Sequence, residues 1–206
     1  MKIIMNKILA TLLITVVAIS SSFTMASTPD YIQECLDCHG KNGISQESDV
    51  PTIAGFSATF IEETFAAYHY DMRDAVKSKY RYGDVSREAT DMKNIAEKLN
   101  EEQIMKSAKF FSALHFVPAK QEFNSELVMV GKKLHEDNCE KCHSNGGASP
   151  EEDAAILAGQ WTEYLRGAVK HIVSESRDVD FNMYSKVEKL SDNEWDALFS
   201  YYASQQ

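Results

Sequence analysis

Cys35-Leu36-Asp37-Cys38-His39 and Cys139-Glu140-Lys141-Cys142-His143 use every cysteine in the 206-residue chain. In each copy an imidazole directly follows the second of two thiols. That spacing suits one chemistry above others: the thiols are alkylated by the vinyl groups of one haem while the adjacent histidine reaches its iron. Zinc ligation and disulfide pairing are the competing uses of two Cys-x-x-Cys pairs. Neither needs a histidine immediately after the second cysteine, and both copies have one. The expected cofactors are two covalently bound c-type haems, held by Cys35, Cys38, Cys139 and Cys142, with His39 and His143 on the irons.

The elements that position these groups repeat along the chain. The offset of 104 between Cys35 and Cys139 also carries Ile53-Ala54-Gly55 onto Leu157-Ala158-Gly159 and Phe60-Ile61 onto Tyr164-Leu165. Further on the offset falls to 91, so that Met92 falls on Met183, Glu97-Lys98-Leu99 on Glu188-Lys189-Leu190, and Phe110-Phe111 on Tyr201-Tyr202. The first half thus holds about 13 extra residues, near 72–91. This is a tandem duplication, with a first domain over 27–117, a connector over 118–124 and a second domain over 125–206.

Haem iron has a sixth coordination position, and its occupant separates an electron carrier from a catalyst. Met183 is the sole methionine after His143. Met72, Met92 and Met105 compete in the first half, and the repeat selects Met92, which precedes the same Glu-Lys-Leu and final helix as Met183. Met105 falls inside that helix and is expected to pack. A gap-filling core methionine is the bland alternative for Met92 and Met183. His115, His135 and His171 read as surface or internally satisfied histidines. His69, in Tyr68-His69-Tyr70, is the second candidate for the first iron.

The local patterns are helical. Thr28 as N-cap with Pro29 at the first helical position would carry Tyr31, Ile32 and Cys35 into the first motif. Leu127, Val130 or Gly131, and Leu134 would carry the chain into the second. Asn100 with Gln103 and Ser191 with Glu194 are capping signals for the last helix of each half. Behind them Ile104, Ala108 and Phe111, and Trp195, Leu198 and Tyr202, form apolar stripes. The stretches between first and last helices read as loop-rich, and Gly40, Gly43, Gly146 and Gly147 supply tight turns after the histidines. Phe116 to Asn124, with Pro118, reads as extended. No convincing β-alternation appears, so the fold class is all-α, and each small domain needs a buried haem to complete its core.

Residues 1–26 begin with Lys2 and Lys7, continue with an apolar stretch from Ile8 to Ile19, and end at Thr24-Met25-Ala26. This is the pattern of a cleavable signal peptide, so export to the periplasm is expected. The apolar stretch falls short of the roughly 20 residues that span a bilayer, and no later segment approaches that length. Without the leader, 19 basic side chains face 31 acidic ones, a formal charge of −12. Such acidity argues against nucleic acid or an anionic membrane as partner and permits a basic docking partner.

Cys-x-x-Cys-His followed by Leu-Ala-Gly-Gln and Tyr-Leu, a methionine, and a capped helix ending in Tyr-Tyr-Ala resembles the bacterial diheme class I cytochromes c of the c-four type over the whole mature chain. Lys133-Leu134-His135, Ile156-Leu157-Ala158-Gly159-Gln160-Trp161, the ending Tyr201 to Gln206, and Pro118-Ala119-Lys120-Gln121 look more narrowly like the cytochrome subunit of flavocytochrome c sulfide dehydrogenase. The resemblance implies two tandem class I cytochrome c domains, each wrapped around one covalent haem, with His39 and Met92, and His143 and Met183, as axial ligands. It also implies that the chain is no enzyme by itself but accepts electrons from a sulfide-oxidising flavoprotein subunit. The chain has no G-x-G-x-x-G that would suggest a flavin of its own. A free-standing diheme shuttle to a terminal oxidase or reductase is the alternative, and a haem enzyme is the less favoured third reading. The first-half insertion, and Phe56 where the second half has Gln160, put its docking surface in doubt.

Overall fold

The computed structural model describes residues 28–206, so the expected signal peptide lies outside the described residues. Nine helices follow one another there: α1 (Asp30–His39), α2 (Ala58–His69), α3 (Met92–Lys98), α4 (Glu101–Ser112), α5 (Val128–Asn138), the single turn α6 (Ser144–Gly147), α7 (Thr162–Val173), α8 (Phe181–Val187) and α9 (Asp192–Ala203). Among the described residues the only β pairing is two isolated bridges, which fits the all-α expectation. α1 to α4 are matched in order by α5, α7, α8 and α9.

The middle of each half is more helical than expected. Ser57 caps α2 by accepting from the Phe60 amide at 3.0 Å. Ile61, Phe65 and Tyr68 then recur on one face, and all three are buried. In α7, Leu165 and Ile172 mark the matching face. One boundary also moves. Pro29, not Thr28, stands at the N-cap of α1, where its carbonyl accepts from Ile32 and Gln33 at 2.9 Å each. Having no side-chain oxygen, it caps through that carbonyl alone. Both capping boxes form as expected, at Asn100 with Gln103 and at Ser191 with Glu194.

Gly131, rather than Val130, makes the contact on α5. A Cβ at position 131 would stand 1.9 Å from the Ala197 carbonyl oxygen, so only glycine lets α5 and α9 approach this closely. Val130 is exposed. Met105 is not a packing residue as expected: it is 53% exposed, because it lies off the Ile104–Ala108–Phe111 stripe. Met72 is also exposed.

One apolar cluster gathers Ile32, Phe56, Ile61, Phe65, Ile95 and Phe111, and a second gathers Leu165, Leu198, Phe199, Tyr201 and Tyr202. The halves interlock through backbone and amide groups. Fully buried Gln160 accepts from the Thr52 amide at 3.1 Å and donates to the Thr52 carbonyl at 2.9 Å. Trp161 donates its indole N–H to the Ser45 carbonyl at 3.1 Å. These bonds explain the Phe56/Gln160 difference. Gln160 reaches across to the first half, whereas Phe56 packs inside it, 5.0 Å from the Phe60 ring.

The connector has no regular secondary structure, as expected, but it is bonded to the second half. Ala119 donates to the Gly159 carbonyl at 2.7 Å, and Gln121 bridges the Gln160 carbonyl and the Thr162 amide at 2.8 and 2.9 Å.

Candidate functional site

In the first half Cys35, Cys38 and His39 come from the end of α1, and Met92 comes from the first residue of α3, just after its N-cap Asp91. All four line one cavity of about 440 Å³, together with Ile53, Phe56, Phe60, Ile61, Phe65 and Phe111. The apolar walls and the sulfur and nitrogen donors suit a haem. His39 donates its Nδ1 proton to the Pro51 carbonyl at 2.8 Å, since a carbonyl only accepts. That bond fixes the tautomer and leaves Nε2 with a free lone pair. Burial also holds the imidazole below its ordinary pKa, so it is neutral and able to ligate.

The second half repeats this bond, with His143 Nδ1 donating to the Ala155 carbonyl at 2.9 Å. Two histidines 104 positions apart thus share one orienting device. Here the cysteines and His143 follow α5 in a turn, whereas the first copy is helical throughout. Met183 is half-buried on α8, two residues further from its N-cap than Met92 is on α3. Lys186, one turn beyond Met183, donates to Asn138 at 3.3 Å and so ties α8 to the residue before Cys139.

All four thiols are free, and no group of three or more His, Cys, Asp or Glu with metal-holding geometry occurs among the described residues. Burial, then the Glu34 charge, then Cys38 push the Cys35 thiol up to about 12. Cys38 and Cys139 are also raised, chiefly by burial. Reactive Cys-x-x-Cys thiols are ordinarily shifted the other way.

Of the remaining histidines, His69, His115 and His135 are surface or satisfied, as the sequence suggested, whereas His171 lines the first cavity. His69 and His115 are exposed, and His69 stacks edge-on against Tyr70 rather than entering the cavity. His135 is fully buried and satisfied at both nitrogens, by the Tyr202 hydroxyl at 2.9 Å and Glu140 at 2.7 Å. Glu140 also accepts from the Asn145 and Gly146 amides at 2.9 and 3.1 Å, which braces the turn after the second motif.

Several residues that shape the site escaped the sequence reading. The first-half insertion is strapped across the first motif. The Arg81 and Tyr82 amides both reach the Asp37 carbonyl at 2.9 Å, while Arg87 pairs with Asp37 and, at 2.8 Å, with Glu34. A Cβ at Gly83 would stand 2.9 Å from the Asp37 carboxylate, so the strap lies directly on the motif. Asp37 is buried as a result, whereas Cys142 in the second copy is exposed. An acidic residue in the first motif facing arginines in the insertion was the available signal. His171, Arg73, Arg177, Tyr68 and Tyr164 also line the first cavity, and three of these come from the second half.

Comparison with known proteins shows that the chain shares the fold of cytochromes c. The family described as cytochrome C oxidase, cbb3-type, subunit III matches residues 126–201. No curated protein matches the chain. Several solved structures share its fold. Cytochrome c4 from Pseudomonas stutzeri superposes with a TM-score of 0.68 at 20% identity, over 86% of this chain and 96% of that one. Cytochrome c4 from Acidithiobacillus ferrooxidans gives 0.63 at 21% identity, over 84% and 99%. Thiosulfate dehydrogenase TsdBA from Marichromatium purpuratum gives 0.66 at 20% identity; the match covers 84% of this chain but 36% of that one. The fold is therefore all-α, of the tandem class I cytochrome c type. Together with the four cysteines, the matches imply covalently bound c-type haem. Among the described residues no helix is long and apolar enough to cross a membrane.

Proposed function

We propose that the chain is a periplasmic diheme electron-transfer protein that takes electrons from a sulfide-oxidising flavoprotein. The observation that carries the electron-transfer reading is the meeting of Cys35, Cys38, His39 and Met92 on one apolar cavity. The Cys35 and Cys38 thiols would hold the haem there, and the oriented His39 imidazole and the Met92 thioether would serve as its iron ligands. Held by a histidine and a methionine together, a haem would serve electron exchange rather than substrate binding. By the repeat, Cys139, Cys142, His143 and Met183 do the same in the second half. The domains are those the repeat defines, 27–117 and 125–206, joined by 118–124. Residues 1–26 act as the export signal.

Haem, when bound, supplies one-electron exchange between ferric and ferrous iron. The chain's own residues do the rest: the apolar walls exclude water, the Pro51 and Ala155 carbonyls orient the imidazoles, and the thioethers favour the reduced state. The bonds of Gln160 and Trp161 to Thr52 and Ser45 hold the two halves at a fixed separation.

The flavoprotein partner rests on the motifs around Cys139, Trp161 and the C-terminus. A free-standing shuttle is favoured by a separate fact, that the chain covers 96% and 99% of two cytochromes c4. Gentle isolation from the periplasm distinguishes them. The first reading expects a flavin-containing protein to co-elute and sulfide to reduce the haems through it. Elution as a lone chain that sulfide leaves oxidised would replace it with the shuttle.

A further inference from the structure

The acidic segments after the two Cys-x-x-Cys-His motifs keep one register, but a cation meets only the first of them. At the offset of 104, Glu47 and Asp49 fall on Glu151 and Asp153, with Ser48 on Glu152 between them. Matched bonds on both sides fix that alignment. Ile53 donates to the Gly43 carbonyl as Leu157 does to that of Gly147, each at 2.8 Å, and the Pro51 and Ala155 carbonyls accept from His39 and His143. Each segment is thus a lip that ends two residues before the carbonyl orienting an imidazole.

In the first half the insertion supplies the cation. One guanidinium nitrogen of Arg81 stands 2.6 Å from Asp49 and another 3.7 Å from Glu47. The Arg81 amide is tied to the Asp37 carbonyl at 2.9 Å, so the strap itself delivers the guanidinium to the lip. The second half has no counterpart of the strap. Glu151, Glu152 and Asp153 are all exposed there, and Glu152 accepts from the Ser144 hydroxyl. Among the described residues the lysine and arginine ion pairs of the second half lie elsewhere: Lys132 with Glu136, Lys133 with Asp137, and Arg166 with Asp196. The second motif is bare as well, since Lys141 is exposed at the position where Asp37 lies buried under the strap.

A short run of carboxylates on a loop is ordinarily solvated. Here the first copy shows the same lip taking a guanidinium, which is the chemistry the bare copy offers to another molecule. The formal charge of −10 on the chain draws a basic protein toward it at long range and repels an acidic one. We infer that Glu151, Glu152 and Asp153 form the docking lip for a basic redox partner, whose lysine or arginine takes the place that Arg81 holds in the first half. The inference rests on the two-haem reading above. It also gives the insertion a role: by neutralising the first lip, the strap keeps such a partner off the first motif and directs it to the second. A partner seated there stands beside the turn that orients His143, so exchange with it runs through the second half.

Mitochondrial cytochrome c, a basic one-haem protein, is the probe, and haem is counted on the holoprotein first. Carbodiimide joins carboxylates to amines in contact with them. Followed by peptide mass spectrometry, it should link probe lysines to Glu151, Glu152 or Asp153 and leave Glu47 and Asp49 unlinked. Holoprotein carrying Glu151→Gln with Asp153→Asn should bind the probe roughly fivefold more weakly at low ionic strength, and the difference should fade at high salt. Glu122→Gln, at an exposed carboxylate of the connector, is the control and should bind as the wild type does. Arg81→Gln should free the first lip, so that links to Glu47 or Asp49 appear; if that variant does not accumulate, the wild-type links and the lip variant decide alone. Links confined to other carboxylates, or a lip variant that binds as tightly as the wild type, would overturn the inference. So would Arg81→Gln holoprotein with both haems that gains no link at Glu47 or Asp49. A wild-type chain without two haems would instead sink the cofactor reading before any variant is made.

Discussion

Replacing Cys35 and Cys38 together by serine is expected to halve the haem that stays on the chain after denaturation and to unfold the first half. The cavity these thiols line is about 440 Å³ and is walled by Phe56, Phe60, Ile61, Phe65 and Phe111. At about 24 cal/mol per Å³, leaving such a space unfilled costs up to about 10 kcal/mol. A domain of some 90 residues has a total stability of roughly 5–13 kcal/mol, so little or nothing would remain. Water entering the open cavity lowers that cost without restoring the lost apolar contacts. The second half has its own cluster around Leu198, Phe199 and Tyr202, and Gly131 lets α5 lie against α9 independently of the first. Denaturing haem assay and circular dichroism would then show one haem retained with partial loss of helix. Retention of both haems through denaturation would place the attachment elsewhere.

The second large effect is expected at the axial methionines. Met92→Ala removes the thioether that the repeat assigns to the first iron, and Met183→Ala does so for the second. Because axial ligands span about 0.8 V of haem potential, each substitution should lower one midpoint by on the order of 0.2 V. At about 59 mV per tenfold change, that moves one ferrous-to-ferric equilibrium by about three decades. The far-red charge-transfer band of methionine-bound ferric haem should fall by half in each variant and vanish in the double variant. Met105→Ala is the control: that side chain is exposed on α4, so neither the band nor the midpoints should change. A band that survives both substitutions would remove the methionines from the irons.

Much of this arrangement could be read from the sequence because the duplication writes the site twice. A single Cys-x-x-Cys-His gives an attachment point; two in register with Ala54-Gly55 and Ala158-Gly159, Met92 and Met183 give two complete halves. The capping boxes at Asn100 and Ser191 were legible because an N-cap oxygen and an N3 amide-binding side chain are local features. The α2 and α7 helices were missed, although Ile61, Phe65 and Tyr68 recur at helical spacing. Glu62, Glu63 and Thr64 between them dilute the apolar content, so the face shows only when the stripe is followed. The insertion, expected near 72–91, is narrowed at its start by the structure. The repeat offset of 104 still holds for Asp74 and Asp178, which donate to the Ser176 and Met72 carbonyls at 2.7 Å each, so the extra residues lie between 74 and 92.

Other features depend on distant contacts and left weaker traces. Gln160 reads as one polar residue in a Leu-Ala-Gly-Gln motif, and its bonds to Thr52, 108 positions away, emerge only when the halves meet. The strap of Tyr80 to Arg87 over Asp37 is a similar case. Burial and Glu34 push the Tyr80 hydroxyl up to about 12, so it remains a donor to that carboxylate at any working pH. Met105 shows the opposite error, in which an apolar residue inside an amphipathic helix was given to the core although its position lies off the buried face.

The central claim is that this chain is a two-haem electron carrier with both irons closed by methionine. A reductive titration of the pure oxidised protein, with haem counted on the same sample, tests it most directly. The account predicts two haems and two electrons per chain, one for each Cys-x-x-Cys-His, and a reduced protein that does not bind carbon monoxide. One haem per chain, or ferrous iron that binds carbon monoxide at once, would contradict it.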